Sequence, residues 1–486
     1  MKTGTVAAVV VLLACGACSS TPTMQGELTV VKQVASTVQT AVTNASPAQM
    51  SSSTPAPAAP SRCTASTGTH TITVWHIFAG DQAPDTFAAL AADFHSTHPS
   101  LTLQVEKVGG YDDLIKRLQA EPKENWPDIV VSGPSGLKRL ADSKMTIAPA
   151  ECPSGNKLKD ALLPVIAATY SIRGELQAVP YGVSTPVLLF DANEMSAAGL
   201  DPSKPPTTPE ALLAASKQVV EKGVSPHGLV VYDWYAGFLV HQWAAQRGDL
   251  VATPNNGRNG EDITVDYNTP QNREALQWII DIVQGGDAIW IGGNQSSFDD
   301  LAKIIDTKDG AVMSIHTSGS IGDVLRLLDG GSFPGVALGV GPMPGPGVGA
   351  LVGGNGMWLV DHGSPERAGA AWEAIEWLTE PTQMARFDVA TGYVPPSKAV
   401  AAEQVIVDAW SVHPQLRVGY DQLYNTPGSP ATAGALYGPS TEIDSIFFDL
   451  TRSIIEHGVS PADALQKASQ ATNDLLTQYK ALAAQG

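Results

Sequence analysis

The chain is expected to fold as an α/β protein whose sheets are mostly parallel and flanked by helices. Three observations point there. Strand-like runs alternate with helix-periodic segments from residue 70 to the C-terminus. Glycine and proline, 46 and 35 of the 486 residues, gather in loops such as Gly341-Pro342-Met343-Pro344-Gly345-Pro346-Gly347. About 410 residues follow the N-terminal tail, enough for two domains with separate cores.

The elements read in order. His70-Thr71-Ile72-Thr73-Val74-Trp75 is the first strand. Phe87, Leu90, Ala91 and Phe94, at i, i+3, i+4 and i+7, make the apolar stripe of a helix. Leu101 to Val105 alternates again, Tyr111 to Leu118 reads as helix, and Asp128-Ile129-Val130-Val131 reads as a buried strand. Ala311-Val312-Met313-Ser314-Ile315 and Gly354-Asn355-Gly356-Met357-Trp358-Leu359-Val360 are later strands. Pro365 to Leu378 and Pro461 to Tyr479 are later helices. No internal repeat is present.

Ahead of the folded part lies an export signal. Lys2 supplies its charge, and Val6 to Ala14 is an apolar run too short to span a bilayer. Leu12-Leu13-Ala14-Cys15 resembles the bacterial lipobox, in which the cysteine is lipidated and becomes the mature N-terminus. Cys15 is the better match because Leu12 stands three before it. Cys18, followed by Ser19 and Ser20, is the alternative. Residues 1–14 are then signal peptide, and 15–67 a low-complexity linker rich in Ser, Thr, Ala and Pro. A short helix can form within Glu27 to Asn44. Export to an oxidising compartment makes a disulfide between Cys63 and Cys152 reasonable.

Several chemistries find no support. A net charge of −19 argues against nucleic-acid binding. There is no G-x-S-x-G elbow, no P-loop, no H-E-x-x-H and no Cys/His cluster for zinc. His241 and His316 read as structural or cleft residues. Carboxylate pairs such as Asp299 and Asp300, or Glu442 and Asp444, read as solvated. No metal and no cofactor are expected.

Seven short segments then recur in a recognisable order. They are Val74-Trp75-His76; Gly110-Tyr111; Pro180-Tyr181-Gly182-Val183-Ser184-Thr185-Pro186; Ala198-Gly199-Leu200-Asp201-Pro202; Thr317-Ser318-Gly319-Ser320; Gly353-Gly354 with Trp358; and Thr391-Gly392-Tyr393-Val394-Pro395. In this order the chain resembles the extracellular solute-binding proteins of carbohydrate-type ABC importers, and within them the branch that binds glycerol-3-phosphate. The resemblance implies a two-lobed periplasmic-binding-protein fold with the ligand cleft between lobes. Lobe one would hold 68–183 and 316–350, and lobe two 184–315 and 351–486. Crossings would lie near 182–190, 311–317 and 348–355. It also implies a monomeric, lipid-anchored receptor on the extracytoplasmic face of the cell membrane, delivering a small polar solute to permease subunits.

By the same resemblance, Tyr111, Ser184, Trp234, Thr317, Gly354 and Tyr393 line the cleft. Two positions depart from the pattern. Pro134 stands where the family has a ligand-binding glutamate. Asp444 stands where it has a phosphate-binding arginine, and an aspartate repels a phosphate dianion. The expected ligand is therefore a sugar, or one whose amine pairs with Asp444 or Glu442. Glycerol-3-phosphate or a glycerophosphodiester is the alternative; a choline ester could use Trp234 and Asp444. A cell-wall hydrolase and a sensor or adhesion lipoprotein are the remote readings.

Overall fold

A computed structural model describes residues 61–483 except 79, 81, 294–297 and 307. The signal peptide, Cys15, Cys18, the linker up to residue 60 and the segment from Glu27 to Asn44 lie outside the described residues.

Two sheets organise the chain. The first contains β1 (His70–His76), β2 (Leu101–Lys107), β3 (Ile129–Ser132), β4 (Thr146–Ile147) and β5 (Val179–Ser184). The second contains β6 (Pro186–Asp191), β7 (His227–Tyr232), β8 (Ala288–Ile291), β9 (Ala311–Thr317) and β10 (Leu338–Pro342). The last strand, β11 (Gly353–Val360), returns to the first sheet. The first sheet runs β2-β1-β3-β11-β4, with β5 also pairing β11. The second runs β8-β7-β9-β6-β10. In each, three parallel strands carry antiparallel additions: β2-β1-β3 is extended by β11, and β8-β7-β9 by β6 and β10.

The helices used below are α1 (Gln82–Thr97), α2 (Tyr111–Ala120), α3 (Leu137–Asp142), α4 (Tyr235–Arg247), α5 (Pro365–Leu378), α6 (Pro381–Thr391), α7 (Arg417–Tyr424), α8 (Ser440–Glu456) and α9 (Pro461–Ala483). The stripe expected in α1 is present, with Phe87, Leu90, Ala91 and Phe94 all buried. Helix α5 starts where its residues require. Ser364 accepts from the Arg367 amide, and Pro365 fills the first turn, where no amide hydrogen is needed.

Strand alternation divides the first lobe into two cores. Ile72, Val74, Met357 and Leu359 face Phe87, Trp372 and Phe387 on one side of the sheet. Trp75, Val130, Trp358 and Val360 face Leu114, Leu137 and Tyr170 on the other. The second lobe has its own large core, from Leu188 and Leu229 to Phe447 and Leu465.

This arrangement corrects the expected partition of the lobes. Residues 316–350 were expected in lobe one, yet β10 pairs with β6 in the second sheet. Ile321, Leu325 and Leu338 pack there on Val187 and Leu189. Residues from 351 were expected in lobe two, yet β11 joins β3 and β5, and α5 and α6 cover that sheet. The chain also does not cross at 311–317, because β9 lies inside the second sheet between β7 and β6. A crossing occurs instead before α8: Leu436 packs in the core of lobe one and Tyr437 in that of lobe two.

Cys63 and Cys152 form a disulfide with Cα atoms 4.9 Å apart. Around it, Arg62 pairs with Glu151 and Asp361, and the Thr64 amide donates to the Pro365 carbonyl at 2.9 Å. The segment entering β1 is thus fastened to lobe one at the His70 end of that strand.

Candidate functional site

Five of the seven candidate residues meet where the lobes join. Tyr111 opens α2 after Gly109-Gly110, and a Cβ at Gly133 would collide with its ring. The Tyr111 hydroxyl donates toward the Gly354 carbonyl and the Asn355 Oδ1, both at 3.3 Å. Asn355 Nδ2 donates to the Tyr393 hydroxyl at 3.3 Å. Asn355 therefore couples the two phenols.

The backbone makes this meeting possible. Gly354 has φ +88°, and a Cβ there would strike the Gly182 carbonyl. The Val394 amide donates to the Val183 carbonyl at 2.8 Å, which brings Tyr393 beside Ser184 at the end of β5. From lobe two, Gly319 lies so close that a Cβ would stand 2.8 Å from the Tyr393 ring and 3.5 Å from the Ser184 Cβ. Thr317 holds that turn, its Oγ1 accepting from the Gly319 amide at 3.3 Å. Its hydroxyl oxygen is thus engaged within its own turn.

Burial sets the protonation of these groups. It pushes the Tyr393 hydroxyl up to about 12 and the Tyr111 hydroxyl well above its ordinary value. Both phenols are neutral donors across the physiological range.

Trp234 and Asp444 lie in lobe two, Trp234 just past the end of β7, the strand that pairs with β9. Trp234 is only 7% exposed. Its indole packs against Phe238 at 6.0 Å and against Phe448 at 5.7 Å between centroids, with interplanar angles near 30°. The aromatic surface is therefore shared among three rings, where sequence reading had singled out one. Asp444 lies one turn before Phe448 on α8 and is half-buried. The preceding residue fixes Trp234: Arg452 pairs with the buried Asp233 carboxylate, and Thr451 Oγ1 donates to the Asp233 carbonyl at 2.6 Å.

The structure also changes the charge reading around α8. Glu442, one of two carboxylates expected to receive a ligand amine, is already engaged. Arg139 of lobe one places Nη2 at 2.9 and 2.8 Å from its two oxygens. This cation could not be read from the sequence around Asp444, because it arrives from the other lobe. Asn355 was missed too; its signal was a lone amide among glycines in a fully buried strand. Among the described residues, no group of three or more His, Cys, Asp or Glu could hold a metal ion. Among the same residues, no helix is long and apolar enough to cross a membrane.

Comparison with known proteins decides the family. Residues 89–416 match the family described as bacterial extracellular solute-binding protein. The chain belongs to that family. This solute-binding protein is 24% identical over 430 residues to the sn-glycerol-3-phosphate-binding periplasmic protein UgpB of Salmonella typhimurium, covering 84% of this chain and 93% of the relative. Among solved structures, it is similar to the cyclic alpha-maltosyl-1,6-maltose binding protein of Arthrobacter globiformis. The TM-score is 0.66 at 22% identity, over 85% of this chain and 100% of the other. UgpB of Mycobacterium tuberculosis, solved with glycerophosphocholine, gives a TM-score of 0.67 at 19% identity, over 85% and 100%. As a member of that family, this chain is an extracellular solute-binding protein, not an enzyme. The hydrolase reading is withdrawn on that ground.

Proposed function

We propose that this solute-binding protein captures a neutral sugar, or a sugar-like solute bearing an amine, between its two lobes. One observation carries the reading. The polar side chains gathered at the join, Tyr111, Asn355, Tyr393 and Ser184, are uncharged hydroxyls and an amide. Such a set donates to and accepts from sugar hydroxyls and offers no counter-charge to a phosphate dianion. The guanidinium of Arg139, in lobe one, is neutralised by Glu442. The maltosyl-maltose-binding neighbour supports the same ligand class.

A second reading is favoured by the Trp234, Phe238 and Phe448 rings with Asp444 one helical turn away. Aromatic faces beside a carboxylate suit a quaternary ammonium, as in a choline-bearing glycerophosphodiester. The relatives named for glycerol-3-phosphate and the glycerophosphocholine complex support it.

A thermal-shift panel separates the two. A ligand at 100 times its Kd stabilises the folded state by about 2.7 kcal/mol. Sugars or amino sugars are expected to raise Tm under the first reading and a choline-bearing glycerophosphodiester under the second, while glycerol-3-phosphate is expected to raise it under neither. Tight binding of glycerol-3-phosphate that survives Asp444→Ala would overturn the reading.

The receptor is further proposed to be a monomer anchored through a lipidated Cys15, or Cys18, with residues up to 67 as spacer. The lipobox-like run before Cys15 supports this. Mass spectrometry of the mature N-terminal peptide is expected to find a diacylated cysteine there, lost in Cys15→Ala. An unmodified N-terminus at another residue would refute the anchor.

A further inference from the structure

A second set of contacts joins the lobes through side chains other than those of Tyr111 and Tyr393. Helix α3 and the turn before it belong to lobe one, with Leu137 and Leu140 in its core. Helices α8 and α9 belong to lobe two, where Ile443, Phe447 and Leu465 are buried. Four polar links run between them. Arg139 Nη2 reaches both oxygens of Glu442, and its Nε donates to the Gly438 carbonyl at 3.2 Å. Ser440 Oγ donates to the Ser135 carbonyl at 2.7 Å. The Tyr479 hydroxyl donates to Asp142 at 2.9 Å, and Lys138 holds that same carboxylate from its own helix at 2.8 Å.

Each link is made from protein to protein, with donor on one lobe and acceptor on the other. We propose that Arg139 and its partners are a closing latch, which draws the lobes together without help from the solute. The solute then meets a population already biased toward closure, and its apparent affinity rises in proportion to that closed fraction. Arg139 suits the task. Its side chain is 21% exposed against 47% for Glu442, so the pair is screened less than a fully solvated one yet can part when the lobes open. The backbone acceptor at Gly438 fixes the guanidinium plane, which a flexible surface pair lacks.

The test uses the ligand-free full chain, so its outcome does not depend on which solute the cleft takes. Hydrogen exchange is followed at the amides of 135–142 and 438–444, with the radius of gyration from small-angle scattering. Arg139→Ala is expected to speed exchange in both segments about fivefold and to enlarge the radius of gyration, with an unchanged urea midpoint. Arg139→Glu, facing Glu442, should open the lobes further, and adding Glu442→Arg should restore closure. In about 1 M salt the parent should approach Arg139→Ala, since screening then acts within about 3 Å. Equal exchange and equal radius in parent and Arg139→Ala would overturn the latch. So would a reversed pair that fails to restore closure while keeping the parental urea midpoint.

Discussion

Cys63→Ser/Cys152→Ser protein is expected to unfold with a stability about 4 kcal/mol below that of the parent. The two cysteines are 89 residues apart, so the bond closes a large loop in the unfolded chain and lowers the entropy of that ensemble. The folded state loses something as well. Cys63 is 2% exposed and Cys152 6%, within the core that contains Trp372 and Phe387. Serine hydroxyls there would lack the apolar contacts of the sulfurs. Urea unfolding of parent and variant under oxidising conditions measures the difference. Because the bond fastens only lobe one, the loss should appear as earlier unfolding of that lobe, with the second lobe's transition unmoved. Identical midpoints for the two proteins would show that the bond constrains nothing.

Asp388→Asn is expected to flatten the pH dependence of stability. Asp388 lies on α6, and both carboxyl oxygens are buried without a hydrogen-bond partner among the described residues. Burial pushes its carboxyl well above the usual carboxylate range. The sign follows from where the proton sits. Above about pH 3.9 the unfolded chain has lost this proton and the folded chain still holds it. The folded state therefore binds more protons, and stability falls as pH rises, by about 1.4 kcal/mol per unit from this group. The contribution is complete below the unfolded value and is lost as pH rises through the raised folded value. Asparagine keeps the shape and cannot ionise. Subtracting the variant's urea stability from the parent's at each pH cancels the other titrating groups. A difference that stays constant from pH 5 to pH 8 would contradict the assignment.

Local pattern and long-range pairing were legible to different degrees. The stripe of α1 and the boundaries of α5 follow from properties of a dozen neighbouring residues: spacing, a capping serine, a proline in the first turn. The sheet that β11 joins is not a local property. All eight of its residues are buried, so its apolar run fits either sheet equally well. Its true partners, β3 and β5, are set by where the chain crosses between lobes. The same holds in the site. Tyr111, Ser184, Gly354 and Tyr393 could be named because each stands in a short segment with a recognisable neighbour pattern. Arg139 could not, since its partner Glu442 is 303 residues away and neither helix carries a mark of the other. Trp234 was readable as an aromatic and not as the centre of a group of three rings, because Phe448 arrives on a distant helix.

The fastening at residues 61–67 has a mechanical meaning. The disulfide, the Arg62 ion pairs and the Thr64 hydrogen bond all grip lobe one, at the end of β1 remote from Tyr111. Tension arriving along the chain from its N-terminal side is grounded in helix α5 and the turn at Cys152 before it can reach β1. Lobe two bears none of that load. A pull applied at that point therefore loads one jaw alone, and it neither pries the jaws apart nor presses them shut.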